Sequence, residues 1–379
     1  MTFGQEAGRY RWVVVGNGAN RRVRSFCAAV AETTNTAPRV VEWLEVLRDG
    51  GHTFADDELV RLDSPGEEPE VDRLLRGVTD PTRVEGTARW YRGFGAAVAS
   101  LRGGCRLDDP AELAVLFDKR RCHVRLVTAG VAVPDSPTSG CGRPITGWAD
   151  IREYLREPGF RRVFVKIAHG SSASGVLAIE AHPRGAVRAT TSVELTADGA
   201  LHNSLRVRRY RSETEIAAII DRLAPDGLHL EQWVPKSTLR GRAADLRVVV
   251  VAGRATHLVV RTSSVPITNL HLGGSRGDPE AVRELAGPRW HRILELAEAA
   301  AACFPATLCV GVDLLPTHGW RRFLVGEVNA FGDLLPRVTG LPGTAAVGLD
   351  TYAAQVTSAV RWYGALRTAS APEDVHVPA

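Results

Sequence analysis

The chain has 379 residues, a net charge of +4 with acids and bases interspersed, and 44% apolar residues. Such a length predicts two or three domains with real cores, and so mild a charge argues against a nucleic-acid or membrane-surface protein. The apolar run in MTFGQEAGRYRWVVVG is too short for a signal peptide, and no stretch approaches the roughly 18 apolar residues of a membrane helix.

Six cysteines (27, 105, 122, 141, 303, 309) show no CxxC and no metal spacing. They are expected to be reduced, mostly buried thiols in a cytoplasmic protein. Lysine occurs three times, at Lys119, Lys166 and Lys236, against 44 arginines. Each lysine is a candidate for a place that needs a compact point charge rather than a planar fork.

RWVVVGN (11–17) reads as a first strand running into GNGANRR. The dinucleotide pattern GxGxxG fails, since Arg21 stands at its third glycine. A helix over 20–32 and a strand RVVEWLEV (39–46) predict an open-sheet α/β start. Residues 57–86 read as loops with short helices, and 90–101 and 111–130 as helices. Lys119 lies in or at the start of the latter, His123 reads as a solvated or packing residue, and a short strand ends at Pro134. RRVFVKIAHGSSASGVLAIE (161–180) reads as strand, Gly/Ser loop, strand. Backbone N–H groups and hydroxyls of such a loop suit phosphate oxygens, with the preceding Lys166 as a point charge.

A hairpin is expected around TADGA, and the basic LRVRRYR reads as its solvated face. A helix over 213–223 precedes LHLEQWVPK, a strand edge whose backbone could meet a purine, walled by Trp233 or Val234. DLRVVVVAGRATHLVVRTS is a long β stretch with Asp245 and Arg247 on one face, where an ion pair between them is the plain reading. TNLHLGGSRG is a flexible loop. Asp278 caps a helix that continues to residue 302, residues 345–366 form a terminal helix, and the last dozen residues read as disordered.

Between these helices stands GVDLLPTHGWRRFLVGEVNAFGD (311–333). Two β-rich runs flank Thr317-His318-Gly319, which predicts a hairpin. Glu327 and Asn329, two apart, share a strand face, and Asp313 sits on the partner strand. Two carboxylates and an amide oxygen make a hard ligand set suited to Mg²⁺. Asp313 and Glu327 lie inside apolar runs, where an acid needs a cation or a donor.

FVK…GSSASG, LEQWV, DLRVVVV…R, NLHLGG and GVDLL…EVNAFG, in this order, resemble the ATP-grasp superfamily. The branch most resembled is that of the carboxylate–amine ligases, with the D-alanine–D-alanine ligases and the ribosomal-protein-type glutamate ligases. The resemblance covers residues 115–340; the first hundred-odd match only in α/β character. It implies an α/β (α+β) fold: an N-terminal open-sheet domain (1–115), a central subdomain (116–235) and a C-terminal subdomain (236–366) that sandwich a nucleotide, then a tail (367–379). It implies that Lys119 and Lys166 contact ATP phosphates, and that a loop with Ser171, Ser172, Ser174 and Gly175 covers them. Glu231, Gln232, Trp233 and Val234 would form the adenine hinge, with Asp245 near the ribose. Arg261 would face the γ-phosphate, and Asn269 and Gly273-Gly274 the substrate. Asp313, Glu327 and Asn329 would hold Mg²⁺, with two ions expected and Mn²⁺ as a substitute. The related glutamate ligases carry an arginine two before the loop asparagine; Ile267 stands there, which leaves the donor carboxylate without an assigned partner.

What the resemblance implies is an ATP-dependent ligase that turns a carboxylate into an acyl phosphate and joins it to an amine. The partners would be small-molecule or peptide acids and amines, with no nucleic acid, no membrane, and a homodimer left open. Its rivals are a small-molecule kinase on the same fold, a non-catalytic ATP-binding module, and a dehydrogenase that uses the first 45 residues.

Overall fold

The computed structural model describes residues 10–370 apart from 172, 318, 333, 334 and 336, and without the side chains of 141 and 366–370. It contains three sheets. The first is parallel, in the order β2-β1-β3-β4 (β1 Arg11–Gly16, β2 Arg39–Glu42, β3 His52–Leu62, β4 Leu101–Arg106). Asn20 caps the helix after β1, α1 (Arg21–Thr34), its side chain accepting from Arg22 N. β2 is shorter than its sequence predicts: from Trp43 the chain turns helical (α2, Trp43–Asp49), because the Trp43 ring is buried and its Nε1 donates to Asp63 O at 2.9 Å. β3 lies partly where loops are expected. Its polar residues Glu58 and Arg61 hide the strand period, yet both are buried and ion-paired, Arg61 to Asp63 at 2.6 Å.

Three further expectations give way to local breaks. The 111–130 helix is two, α5 (Pro110–Leu116) and α6 (Lys119–Thr128), because Asp118 caps the second through Arg120 N and Arg121 N. Residues 131–134 form no strand. The helix after Asp278 is also two, α9 (Pro279–Ala286) and α10 (Trp290–Ala302), parted at Gly287-Pro288 where proline cannot continue the first. The terminal helix, α11 (Thr351–Ser370), starts later than predicted, where Asp350 accepts from Tyr352 N and Ala353 N, and it runs into the region read as a tail. Residues 371–379 lie outside the described residues.

The second sheet is antiparallel, β8-β7-β6-β5-β9 (β5 Arg162–Ile167, β6 Leu177–Ala181, β7 Val187–Leu195, β8 Leu201–Tyr210, β9 Leu228–Gln232). Alternation along β5 sends Val163, Val165 and Ile167 against α8 (Glu213–Leu223), where Ile216, Ile219 and Ile220 are fully buried, and leaves Phe164 and Lys166 on the other face.

The third sheet is antiparallel, β13-β12-β11-β14-β15, with β10 (Thr238–Leu239) beside β11 (Arg242–Val251). β12 is Arg254–Ser263, β13 Ser275–Gly277, β14 Cys309–Thr317 and β15 Arg322–Ala330. On β11, Leu246, Val248 and Val250 share a core with Ile293, Ala297 and Ala300 of α10. The opposite face changes character midway: Asp245 and Arg247 are charged, while Val249 and Val251 pack with Phe26 and Tyr352. The charged half is where a site can form. No helix among the described residues is long and apolar enough to cross a membrane. The described cysteines 27, 105, 122, 303 and 309 are free thiols.

Candidate active site

A cleft of about 940 Å³ opens between the charged half of the third sheet and the Phe164/Lys166 face of the second. All three lysines of the chain line it. Lys119 opens α6; its Nζ is 2.6 Å from Glu327 Oε1 and donates to Gly170 O at 2.7 Å. Lys166 Nζ lies 2.6 Å from Glu231 Oε2 and donates to Gly326 O at 3.3 Å. Burial works against the Lys166 ammonium, but the Glu231 and Glu327 carboxylates outweigh it and raise its pKa. Lys236 donates to Thr268 Oγ1 at 2.6 Å and lies 3.5 Å from Asp245 Oδ2. Its pKa is lowered, by burial first, with Asp245 opposing.

The late hairpin forms as its sequence predicts. Asp313 stands directly opposite Glu327 and Gly311 opposite Asn329, so Asp313, Glu327 and Asn329 share the cleft face. A bulge between Asp313 and Leu314 leaves Gly326 without an opposite residue, and its carbonyl is the one Lys166 reaches. The cations those acids require are present, Lys119 for the half-buried Glu327 and two arginines for the buried Asp313. Asp313, 8% exposed, receives Arg247 Nη2 at 2.9 Å and Arg261 Nη2 at 3.0 Å. Burial would raise its pKa; the two guanidiniums outweigh that and hold it well below the usual carboxylate range.

The plain ion pair between Asp245 and Arg247 does not form. Asp245 pairs instead with Arg261, whose Nε donates at 2.7 Å, while Arg247 pairs across the sheet with Asp313. Arg261 thereby bridges two carboxylates, and its pKa is raised: burial opposes, Asp245 and Asp313 outweigh.

The Gly/Ser loop closes one end of the cleft. Ser174 N donates to Ser171 O at 2.9 Å, Ala173 takes a left-handed φ of 61°, and Ser192 Oγ donates to Ala173 O at 3.1 Å. Ser171 and Ser174 line the cleft; Gly175 sits behind the loop, and Ser172 lies outside the described residues. At the other end, Glu231, Gln232 and Val234 line the cleft. Trp233 does not; its ring packs on Phe164 at 5.3 Å, beneath Arg162. Gln232 N donates to Asp135 O, and Trp233 N to Arg162 O. Asn269 lines the cleft, its Oδ1 accepting from His271 N at 2.7 Å. Ile267, buried, packs with Val176 and Leu272.

Several lining or supporting groups were not assignable from the sequence. Lys236 carried only its rarity as a signal. Arg247 carried its face-sharing with Asp245. His229 carried none: it is fully buried on β9, with Nε2 3.0 Å from Glu231 Oε1 and Nδ1 2.9 Å from Thr138 Oγ1. Burial lowers its pKa, with Glu231 opposing. His123 is buried rather than solvated, between Ser139 Oγ and Pro134 O at 2.8 Å each.

No family model matches the chain, and no curated protein matches it in sequence. Among solved structures it is similar to the ATP-grasp ligase PsnB complexed with minimal precursor, at 14% identity and a TM-score of 0.49 over 93% of this chain and 99% of that one. It is similar to D-alanine–D-alanine ligase from Bacillus anthracis complexed with ATP, at 11% identity and a TM-score of 0.47 over 96% and 100%. A third is N5-carboxyaminoimidazole synthase from Aspergillus clavatus in complex with ADP and 5-aminoimidazole ribonucleotide, at 12% identity and a TM-score of 0.44 over 85% and 70%.

Proposed function

We propose that the chain is an ATP-dependent carboxylate–amine ligase of the ATP-grasp kind. The observation that carries the reading is the convergence of all three lysines, with Arg247 and Arg261, on a cleft whose opposite strands present Asp313, Glu327 and Asn329. Every charge in it is bought by a partner within the chain, so the cleft is pre-organised for a polyanion rather than left bare.

The donor set fits a hard dication. Asp313, Glu327 and Asn329 offer only oxygen from two paired strands, with positions left for phosphate and water. Bound there, Mg²⁺ supplies charge neutralisation of the triphosphate. Lys119 and Lys166 bind the phosphates in this reading, and Ser171 and Ser174 cover them. Glu231, Gln232 and Val234 hold the base, with the Gln232 and Trp233 amides already engaged inside the protein. Asp245 lies toward the ribose, and Arg261 steadies the γ-phosphate and the carboxylate that attacks it. A carboxylate oxygen bonds to the γ-phosphorus as the bond to the ADP oxygen breaks. The amine nitrogen then bonds to the acyl carbon, phosphate leaves, and the nitrogen loses a proton. No side-chain nucleophile is needed, so catalysis is positioning and electrostatics.

Hydroxylamine tests the chemistry. With a matching acid, a ligase yields a hydroxamate and ADP; a kinase yields ADP and a stable phosphorylated product; a binding module releases no ADP. Glu327→Gln should lower ADP release by about 10²-fold or more with the melting temperature nearly unchanged. Retained turnover in that variant would refute the assignment.

A further inference from the structure

Lys119 and Lys166 have phosphates to meet; Lys236 has no such task. It stands just past Gln232 and Val234, which line the end of the cleft given to the base, and its backbone bridges to Thr317. Its side chain is buried, lines the cleft and reaches the loop between β12 and β13. There Nζ donates to Pro266 O at 3.2 Å and to Thr268 Oγ1 at 2.6 Å. Thr268 directly precedes Asn269.

The contacts that follow have a fixed direction. An ammonium only donates, so the Thr268 hydroxyl accepts from Lys236 and keeps its single proton for Asp245 Oδ2, to which it donates. Lys236 Nζ itself lies 3.5 Å from that oxygen, beyond the ordinary reach of an N–H···O bond, so the hydroxyl carries the link. The other Asp245 oxygen accepts from Arg261 Nε at 2.7 Å, and Arg261 Nη2 lies 3.0 Å from Asp313 Oδ1. Two nitrogens of the guanidinium are thus fixed. The third, Nη1, makes no hydrogen bond among the described residues. Asp245 and Thr268 are both buried. One loop hydroxyl therefore connects the lysine beside the base to the arginine at the γ-phosphate end.

We propose that Lys236 and Thr268 are positioning residues: through Asp245 they hold Arg261 with Nη1 open to the γ-phosphate. The inference rests on the ligase reading and adds to it two residues that act through another. Arg261 is oriented before the nucleotide arrives, so its charge meets the phosphate with little reorganisation. The requirement at 268 is for a hydroxyl, and a side chain of the same shape without one does not meet it.

The test is equilibrium titration of the intact chain, with Mg²⁺ present, against AMP-PNP and against ADP, which lacks the γ-phosphate. Thr268→Val and Lys236→Met should each lower the ratio of the ADP to the AMP-PNP dissociation constant by about tenfold, the loss falling on AMP-PNP. Thr268→Ser, which restores the hydroxyl, should keep the wild-type ratio. The two Thr268 variants leave every charge in place, so they decide the matter if Lys236→Met does not fold. An unchanged ratio in Thr268→Val, an equal loss of both nucleotides, or a Thr268→Ser as impaired as Thr268→Val overturns the proposal and leaves the ATP site standing. A wild type that binds neither nucleotide overturns both.

Discussion

At the scale of single residues, the site is a set of mutual neutralisations. Glu231 is 6% exposed and depends on Lys166 for its charge. Burial would raise its pKa; Lys166 and His229 outweigh that and hold it well below the usual carboxylate range. Lys166→Ala would leave that carboxylate buried beside a neutral imidazole. Breaking one side of a buried pair costs about 3–5 kcal/mol, so the variant should unfold at markedly lower denaturant. Lys166→Met/Glu231→Gln should recover most of that loss and still show no ADP release. If the single variant is as stable as the wild type, the pair is not buried in solution as it is here. Much of this scale was legible in advance. Lys119, Lys166, Asp313 and Glu327 stood out because lysine is rare and because acids sat in apolar runs. His229 did not stand out, because a histidine in a strand shows nothing of what lies opposite it. Trp233 misled for a related reason: alternation says which residues share a face, but after Gln232 the strand ends and the alternation with it.

At the scale of elements, the Gly/Ser loop depends on how tightly its ends return to the sheet. Gly175 has a left-handed φ of 66°, and a Cβ there would lie 2.1 Å from Ile167 Cδ1, a fully buried side chain. Gly175→Ala therefore meets both backbone strain of about 1 kcal/mol and an overpacking cost of about 1–3 kcal/mol. It should lower the melting temperature and weaken ATP affinity together, measured by thermal scanning and calorimetry. Loss of stability with unaltered affinity would show that the loop's path does not shape the nucleotide site. Elements with strong periods, such as α8, were readable from sequence. The errors fell where a cap or proline interrupts a run, at Asp118 and Pro288, and where a strand is polar, as in β3. At Asp118 the deciding contact is a single side-chain oxygen and in β3 it is a tertiary ion pair, neither of which a window average sees; at Pro288 it is the ring of the proline itself.

At the scale of the whole molecule, residues 107 and 108 stitch the first sheet to the third. Leu107 N donates to Val60 O, Leu308 N donates to Leu107 O, and Asp108 bridges to Thr307 while its carboxylate accepts from Leu62 N at 2.9 Å. Burial pushes the Asp108 carboxyl up to about 6, with the Arg61 guanidinium opposing. Because this folded-state pKa exceeds the unfolded one, the native chain holds a proton between pH 4 and 6 that the unfolded chain has released. Stability from this group is therefore present at the acid end and lost as pH rises through about 6, on the order of 3 kcal/mol in all. Asp108→Asn keeps a neutral acceptor, so its stability relative to the wild type should climb across that window, as read from denaturant midpoints at each pH. A constant difference would mean that the carboxyl titrates normally.

The same stitch has a bearing on cooperativity. Two of the apolar clusters mix residues from the beginning and the end of the chain, whereas the cluster beneath the second sheet draws only on residues between Val84 and Leu230. The cluster beneath the second sheet thus forms a cooperative unit of its own, joined to the rest by hydrogen bonds such as Lys119 N to Ala168 O and Asn203 N to Thr82 O, by the small apolar cluster of Val176, Ile267 and Leu272, and by the Lys166 hydrogen bond to Gly326 O across the cleft. A triphosphate lodged there would act as mortar between two masonry blocks, so the filled protein should melt as one body where the empty one has a seam.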